Sequence, residues 1–167
     1  MKLLSHIALV IVLTFGMVAC SKKKKSDQYA GIDGDYLLGT PLPDRVDGAN
    51  FFGSNVTRNQ FSHILFAFDS YSVSGAESYK VQEIANFMRK NSNDIILAGF
   101  TDSRGTEEYN RALGELRAQA VRQQLISSGI NGSRIQTVSF GSEMPVDSSS
   151  SESAYAKNRR VEIGVLR

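Results

Sequence analysis

The stretch DIILAGFTDSRGTEEYNRALGELRAQAVRQQLISSGI, at positions 94–130, decides the fold of this 167-residue chain. Its first part, Asp94 to Gly99, is a short apolar run that predicts a buried strand. Thr106 has the character of a helix N-cap, and the two glutamates after it suit the first helical turn. Because Gly129 is a typical stop signal, the pattern predicts a helix from 106 to 128.

Two polar residues interrupt the apolar face of this helix. At about 100° per residue, the apolar positions form one broad arc. They are Tyr109, Leu113, Leu116, Ala120, Val121 and Leu125. Asn110 and Arg117 fall inside this arc, with Gly114 beside them, and the loop before the helix supplies an acid, Asp102. A buried guanidinium is costly without a partner, so two interpretations stay open. One is an internal Asp102–Arg117 ion pair, and the other is a pocket in which both charges hold a zwitterion.

The flanking sequence predicts alternating strands and helices. His63 to Asp69 predicts a first strand, and Ser74 to Glu77 has the pattern of a capping box ahead of apolar residues at helical spacing. Arg134 to Phe140 predicts a third strand, and Arg160 to Leu166 a last one after a Ser-rich loop at 143–153. The order β-α-β-α-β-β predicts an α/β (α+β) two-layer sandwich, with the helices on one face of a small mixed sheet.

The first 19 residues predict a cleaved signal peptide. Lys2 precedes an apolar core, Ile7 to Phe15, which is too short to span a bilayer, and small residues then lead to Cys20. Cys20 is the only cysteine, which excludes an intrachain disulfide and a thiolate metal site. Residues 20–59 predict a flexible tether, whose last part either packs on the domain or stays free. Residues 60–167 are the expected domain.

The net charge of +2 arises from one basic run, Lys22 to Lys25. Beside an anchored Cys20, this run either attracts anionic head groups, at roughly 1 kcal/mol per charge, or serves as a solvated spacer. From residue 60 onward the charges balance and form no basic stripe, so we do not expect nucleic acid as a partner.

Three separated motifs resemble the OmpA C-terminal domain family. They are GFTDSRGTEEYN at 99–110, LGELRA at 113–118 and NRRVEI at 158–163. The similarity runs from about residue 61 to 166 and includes FAFD at 66–69. Within the family, the chain most resembles the branch of the peptidoglycan-associated lipoproteins.

This resemblance implies non-covalent binding of peptidoglycan through the diaminopimelate of the stem peptide. It assigns Asp102 and Arg117 to the ammonium and the carboxylate of that residue, which agrees with the chemistry of both side chains. The other residues carried over by the resemblance are Asn110, beside this pair, and Asp69, Thr106 and Asn158. One departure is Phe100, which stands where the family commonly has His and lacks its hydrogen-bond donor.

Several of these residues also have a structural interpretation. Asp69 is typical of a residue that ends a strand. Asn158 is typical of a loop residue whose side chain hydrogen-bonds the loop backbone. Arg159 and Arg160 resemble a solvated pair that protects an edge strand, which is the interpretation we favour for Arg160. Arg104 is a further candidate at the rim of the site.

The resemblance also implies a location and partners. Ala19-Cys20 resembles a lipobox, so Cys20 is expected to carry lipid and to anchor the chain in the outer membrane, facing the periplasm. There it would tie the membrane to the cell wall within the Tol-Pal system, with TolB and other Tol proteins as partners in envelope integrity and cell division. A protein-interaction module on the same fold, with an empty rim, is the alternative.

Enzyme chemistry is not expected. His63 is the one histidine after the signal peptide, and no Gly-x-Ser-x-Gly motif is present. The remaining route, a wall hydrolase with Asp69 and Asp102 as its carboxylate pair, is disfavoured because Arg117 would keep Asp102 ionised. No cofactor and no metal are expected.

Overall fold

The computed structural model describes residues 50–167. The expected signal peptide, Cys20, the basic run Lys22 to Lys25 and most of the expected tether lie outside the described residues. The elements in chain order are β1 (Val56–Thr57), β2 (Ile64–Leu65), α1 (Ser78–Lys90), β3 (Ile95–Phe100), α2 (Glu107–Ser127), a 3₁₀ turn (Gly132–Arg134), β4 (Ile135–Gly141), α3 (Glu152–Asn158) and β5 (Arg160–Leu166). None of these helices has the length and apolar character needed to cross a membrane.

The five strands form one mixed sheet in the order β1-β5-β3-β4, and β2 also pairs with β5. β3 and β4 are parallel, with Ile95 opposite Ile135. β5 runs antiparallel to β3, with Ile96 opposite Gly164. The predicted fold class is therefore confirmed. The interpretation of Arg159 and Arg160 as a solvated pair on an edge strand, which was favoured for Arg160, was wrong, because β5 has hydrogen-bonded neighbours on both sides.

Alternation along β3 divides the apolar residues between the two faces of the sheet. Ile95 and Leu97 belong to the larger core, which packs α1 and α2 on one face. The helical residues of that core are Val81, Ile84, Ala85, Met88, Ala118, Val121 and Leu125. Ile96, Ala98 and Phe100 belong to a second cluster, which includes Phe51 and Val56. Fully burying such a side chain stabilises the fold by about 1.5–3 kcal/mol.

Two glycines let α2 cross directly over β3. A Cβ on Gly99 would lie 1.9 Å from the carbonyl oxygen of Gly114, and a Cβ on Gly114 would lie 2.3 Å from Oγ of Ser139. Real Cβ atoms do not approach so closely, so backbone meets backbone here. This contact sets the first turns of α2 against the carboxyl end of β3, where the candidate site lies.

The structure corrects three local predictions. The segment from 74 to 77 is not a capping box, because α1 begins at Ser78 and the side chain of Glu77 accepts from the backbone N–H of Leu65 instead. The first strand is limited to Ile64–Leu65. The Ser-rich loop ends in the short helix α3, which Ser151 caps by accepting from the N–H of Ala154.

The sequence left open whether the end of the tether packs on the domain. In the structure Phe51 is buried, with its ring 6.1 Å from that of Phe140. β1 pairs with β5 through Val56 and Leu166. Phe51 therefore packs on the face of the sheet that α1 and α2 leave open, and β1 extends the sheet beside β5.

Candidate ligand-binding site

A cavity of about 220 Å³ lies where β3 ends and α2 begins. The segment after β2 and the first residue after α3 complete its wall. The lining residues are Phe68, Asp69, Thr101, Asp102, Arg104, Gly105, Tyr109, Asn110, Leu113, Arg117 and Arg159. Four of the six residues predicted for the site, Asp69, Asp102, Asn110 and Arg117, are thus brought together.

Arg117 is fully buried, with 0% of its surface exposed, and it bonds backbone carbonyls. Its Nε donates to Ser70 (2.8 Å), Nη1 to Phe100 (2.9 Å) and Nη2 to Ala67 (3.2 Å). Three of the five guanidinium N–H groups therefore fasten the loop after β2 and the end of β3 to α2. Burial, helped by the charge of Arg159, lowers the pKa of Arg117 to about 10, so the group is still charged at neutral pH.

Asp102 is bonded by two other arginines. Arg104 donates to it from Nε (3.2 Å), from Nη2 (2.7 Å) and from its own backbone N–H (3.1 Å). Arg159 donates from Nη1 at 3.1 Å. Burial by itself would raise the pKa of Asp102, but these hydrogen bonds outweigh it and hold the pKa below its usual range. Of the two open interpretations, the internal Asp102–Arg117 ion pair is wrong: carbonyl dipoles satisfy Arg117, and Asp102 has closer cations.

The cavity therefore carries more positive than negative charge. Three arginines, Arg104, Arg117 and Arg159, line it with two carboxylates, Asp69 and Asp102. The repulsion between Arg159 and Arg117 contributes to the lowered pKa of Arg117. A carboxylate placed between these two arginines would relieve that repulsion.

The remaining predicted residues inside the cavity, Asn110 and Asp69, are held by hydrogen bonds to other residues of the cavity wall. Nδ2 of Asn110 donates to the carbonyl of Arg104 (3.0 Å) and fixes the turn at Gly105, where φ is +98°. Asp69 has a φ of +51°, an uncommon conformation for a residue with a side chain, and accepts a hydrogen bond from the hydroxyl of Tyr109. Such backbone strain concentrates at functional sites.

Thr106 and Asn158 lie outside the cavity wall. Thr106 caps α2 by accepting from the N–H of Tyr109 (3.2 Å). The amide of Asn158 bonds the backbone of Val146 and Asp147, with its Nδ2 donating to the carbonyl of Asp147 at 2.7 Å. Asn158 therefore holds the loop before α3.

Arg160 and Phe100 occupy the opposite face of the sheet. The guanidinium of Arg160 lies 3.9 Å from the ring centroid of Phe100 and forms an ion pair with Glu162. Burial lowers the pKa of Arg160. Since the side chain of Phe100 belongs to the second cluster, position 100 contributes only its carbonyl to the site, through Arg117.

Sequence reasoning missed the role of Arg159 and left Arg104 at the rim. Arg159 is buried, and its Nε donates to the carbonyl of Phe66 (3.0 Å). The guanidinium of Arg104 contacts the rings of Phe68 and Tyr155, 4.1 Å and 4.5 Å from their centroids. Only the spacing of Asp102 and Arg104, two residues apart in one loop, hinted at their contact.

One polar atom of the cavity wall has no partner within the part of the chain that the structure describes. It is Oγ1 of Thr101, a buried residue that follows β3. Buried hydroxyls in native structures almost always have a hydrogen-bond partner. Among the described residues, the hydroxyl of Thr101 is therefore an unsatisfied buried group of the cavity wall.

Known proteins that resemble this chain in sequence and those that resemble it in structure belong to the same family. Residues 65–159 match the model of the OmpA family. The chain is 40% identical over 148 residues to the peptidoglycan-associated lipoprotein of Pseudomonas putida, and the match covers 87% of each chain.

Two solved structures show the same fold. The peptidoglycan-associated lipoprotein from Burkholderia pseudomallei is 37% identical, with a TM-score of 0.58 over 62% of this chain and 87% of that one. The C-terminal domain of Helicobacter pylori MotB is 27% identical, with a TM-score of 0.57 over 62% of this chain and 82% of that one.

Proposed function

This chain belongs to the OmpA family, in the branch of the peptidoglycan-associated lipoproteins, and we propose that it binds peptidoglycan non-covalently through the diaminopimelate of the stem peptide. The observation that carries the proposal is that Asp102 and Arg117 line one cavity while each is bonded to other groups, Asp102 to Arg104 and Arg117 to backbone carbonyls. A cavity with separate anionic and cationic groups suits a ligand that bears both charges on one carbon.

We place the carboxylate of the diaminopimelate side chain between Arg117 and Arg159. Arg117 uses three of its N–H groups on carbonyls, which leaves two for a ligand, and a planar guanidinium matches a carboxylate in shape. Binding here also offsets the repulsion between the two arginines.

We place the ammonium of the same carbon on Asp102, with Asp69 as a further acceptor. Both residues line the cavity. Asn110 acts by fixing the turn at Gly105 that shapes the wall. Thr106 and Asn158 keep a supporting role, through the start of α2 and the loop before α3.

Binding fits this cavity better than hydrolysis does. Cleavage of a sugar bond by two carboxylates needs one of them protonated near neutral pH. The lowered pKa of Asp102 keeps that group ionised, as an acceptor for an ammonium requires. No histidine or cysteine is among the residues that line the cavity.

Sedimentation with purified sacculi tests this function. The mature protein is incubated with diaminopimelate-containing sacculi, and pellet and supernatant are analysed for protein and for released muropeptides. We expect the protein in the pellet and no released fragments. Fragments in the supernatant would indicate a hydrolase, and protein that stays in the supernatant would indicate an interaction module.

The outer-membrane part of the proposal rests on Cys20 and on the names of the relatives. We propose that Cys20 carries the lipid anchor and that the chain acts in the Tol-Pal system with TolB. Replacement of Cys20 by Ser should abolish incorporation of a labelled fatty acid and release the protein from membranes. A Cys20→Ser protein that still fractionates fully with the outer membrane would exclude this anchor.

A further inference from the structure

We propose that Arg104 occupies the ammonium subsite on Asp102 in the empty protein, so that it is a specificity-determining residue that the ligand's ammonium must displace. This inference rests on the proposed function, because it concerns the same cavity.

The hydrogen bonds of Asp102 show why displacement is needed. Oδ1 accepts from the backbone N–H and from Nε of Arg104, and Oδ2 accepts from Nη2 of Arg104 and from Nη1 of Arg159. A carboxylate offers about four lone-pair positions, and here four donors take them. Asp102 therefore has no place for an ammonium until one of these donors leaves.

Arg159 is the donor that stays. Its side chain is buried, and its Nε is held by the carbonyl of Phe66 (3.0 Å). Its Nη1 also bonds Glu152, at 3.0 Å. Withdrawal of Arg159 would leave the carbonyl of Phe66 buried without a donor, which is costly.

Arg104 is the donor that can leave at low cost. Its side chain is 35% exposed, and Nη1 already bonds Glu152 at 3.2 Å. The rings of Phe68 and Tyr155 lie on its guanidinium and stabilise the charge independently of Asp102. After displacement, the guanidinium of Arg104 keeps Glu152 and the two rings as partners. The backbone N–H of Arg104 remains bonded to Asp102.

The exchange makes the site selective for ammonium-bearing ligands of the right geometry. Only a cation that reaches both oxygens of Asp102 replaces what Arg104 supplied. The apparent affinity for the ammonium is reduced by the fraction of time that Arg104 occupies the carboxylate. Removal of the Arg104 guanidinium should therefore strengthen binding of the ammonium, whereas a ligand that has only the carboxylate should gain nothing.

The test uses the mature protein and two tripeptides in calorimetry. One is L-Ala-γ-D-Glu-meso-diaminopimelate, and the other carries 2-aminopimelate, which keeps the distal carboxylate and lacks the distal ammonium. For Arg104→Gln we expect affinity for the first peptide to rise about tenfold, which corresponds to nine-tenths occupancy of Asp102 by Arg104 in the wild type. Affinity for the second peptide should change by less than about twofold.

Three controls make the result decisive. Arg104→Lys, which keeps the charge but loses the planar fork, should show a smaller gain than Arg104→Gln. Arg111→Gln removes an arginine that pairs with Glu107 and Glu143 outside the cavity, and should bind both peptides like the wild type. Thermal melting of each variant identifies any loss of folded protein.

The outcomes separate this inference from the proposed function. Weaker binding of both peptides by Arg104→Gln would show that Arg104 holds the ligand directly, and unchanged binding of both would show that it does not compete. Either result overturns the inference while the proposed function stands. A wild type that binds neither peptide would overturn both.

Discussion

Asp102 and Arg117 line the same cavity, yet each is held by other groups: Asp102 by Arg104 and Arg159, and Arg117 by three backbone carbonyls. The two side chains therefore do not form an ion pair with each other among the described contacts. Arg117 also builds the site, because its bonds fix the loop after β2 and the end of β3. Stability and binding consequently overlap at both residues, since the ion pairs of Asp102 with Arg104 and Arg159 also stabilise the fold.

Replacement of Arg117 by Ala should destabilise the fold. The carbonyls of Ala67, Ser70 and Phe100 would lose their donor, and leaving the buried carbonyl of Phe100 unpaired should lower the free energy of unfolding by about 1–3 kcal/mol. Urea denaturation followed by circular dichroism measures this loss. A loss below about 1 kcal/mol would show that these bonds contribute little.

The crossing of α2 over β3 should not tolerate a side chain at Gly99. Gly99→Ala places a Cβ 1.9 Å from the carbonyl oxygen of Gly114, and we expect a cost of about 1–3 kcal/mol or more from the displaced helix. Gly75→Ala is the matched control, since nothing lies within 4 Å of its Cβ. Thermal unfolding should show a lower Tm for Gly99→Ala alone, and equal Tm values would contradict the close crossing.

Residues 51–57 should contribute to the stability of the domain. Phe51 is 2% exposed, so Phe51→Ala should cost about 3–5 kcal/mol. Tyr79→Ala, at a position 64% exposed, serves as the control and should change stability by less than about 0.5 kcal/mol. If Phe51→Ala is as stable as the wild type, the packing of this segment on the sheet does not matter to the fold.

The lowered pKa of Asp102 predicts how stability depends on pH. Because the folded state holds this proton less tightly than the unfolded state, the contribution is complete above the ordinary pKa of 3.8 and is lost as the pH falls through the lower folded value. Asp102→Asn lacks this contribution. The difference in unfolding free energy between wild type and variant should therefore be constant near neutral pH and shrink below about pH 4. A difference that is the same in acid and at neutral pH would contradict the assignment.

The sequence predicted correctly those helices and strands whose apolar residues recur with a clear period. The apolar arc of α2 correctly placed Asn110 and Arg117 inside the protein, because burial follows the helical period whatever the residue's polarity. The strand–loop–helix order at 94–130 likewise placed Asp102 at the same end of the sheet. The predicted packing of both long helices on one face is confirmed.

Long-range pairing could not be predicted in the same way. Arg159 and Arg160 look alike in the sequence, but Arg159, just before β5, lines the cavity, whereas Arg160, the first residue of β5, lies on the opposite face of the sheet. Their burial follows from the interior position of β5, which depends on pairing with β1 and β2 far away in the chain. The four donors on Asp102 likewise come from two segments that no local pattern connects.

The most direct measurement is calorimetric titration of the wild type and Asp102→Asn with two stem tripeptides, one ending in meso-diaminopimelate and one in lysine. The lysine peptide lacks the distal carboxylate, and the Asn variant lacks the anion that receives the ammonium while keeping the side-chain shape. We expect the wild type to bind the diaminopimelate peptide at least about 30-fold more tightly than the lysine peptide, and Asp102→Asn to lose a similar factor, since a buried charged contact contributes about 2–5 kcal/mol. Equal affinity of the wild type for the two peptides, or undiminished binding by Asp102→Asn, would contradict the zwitterion site.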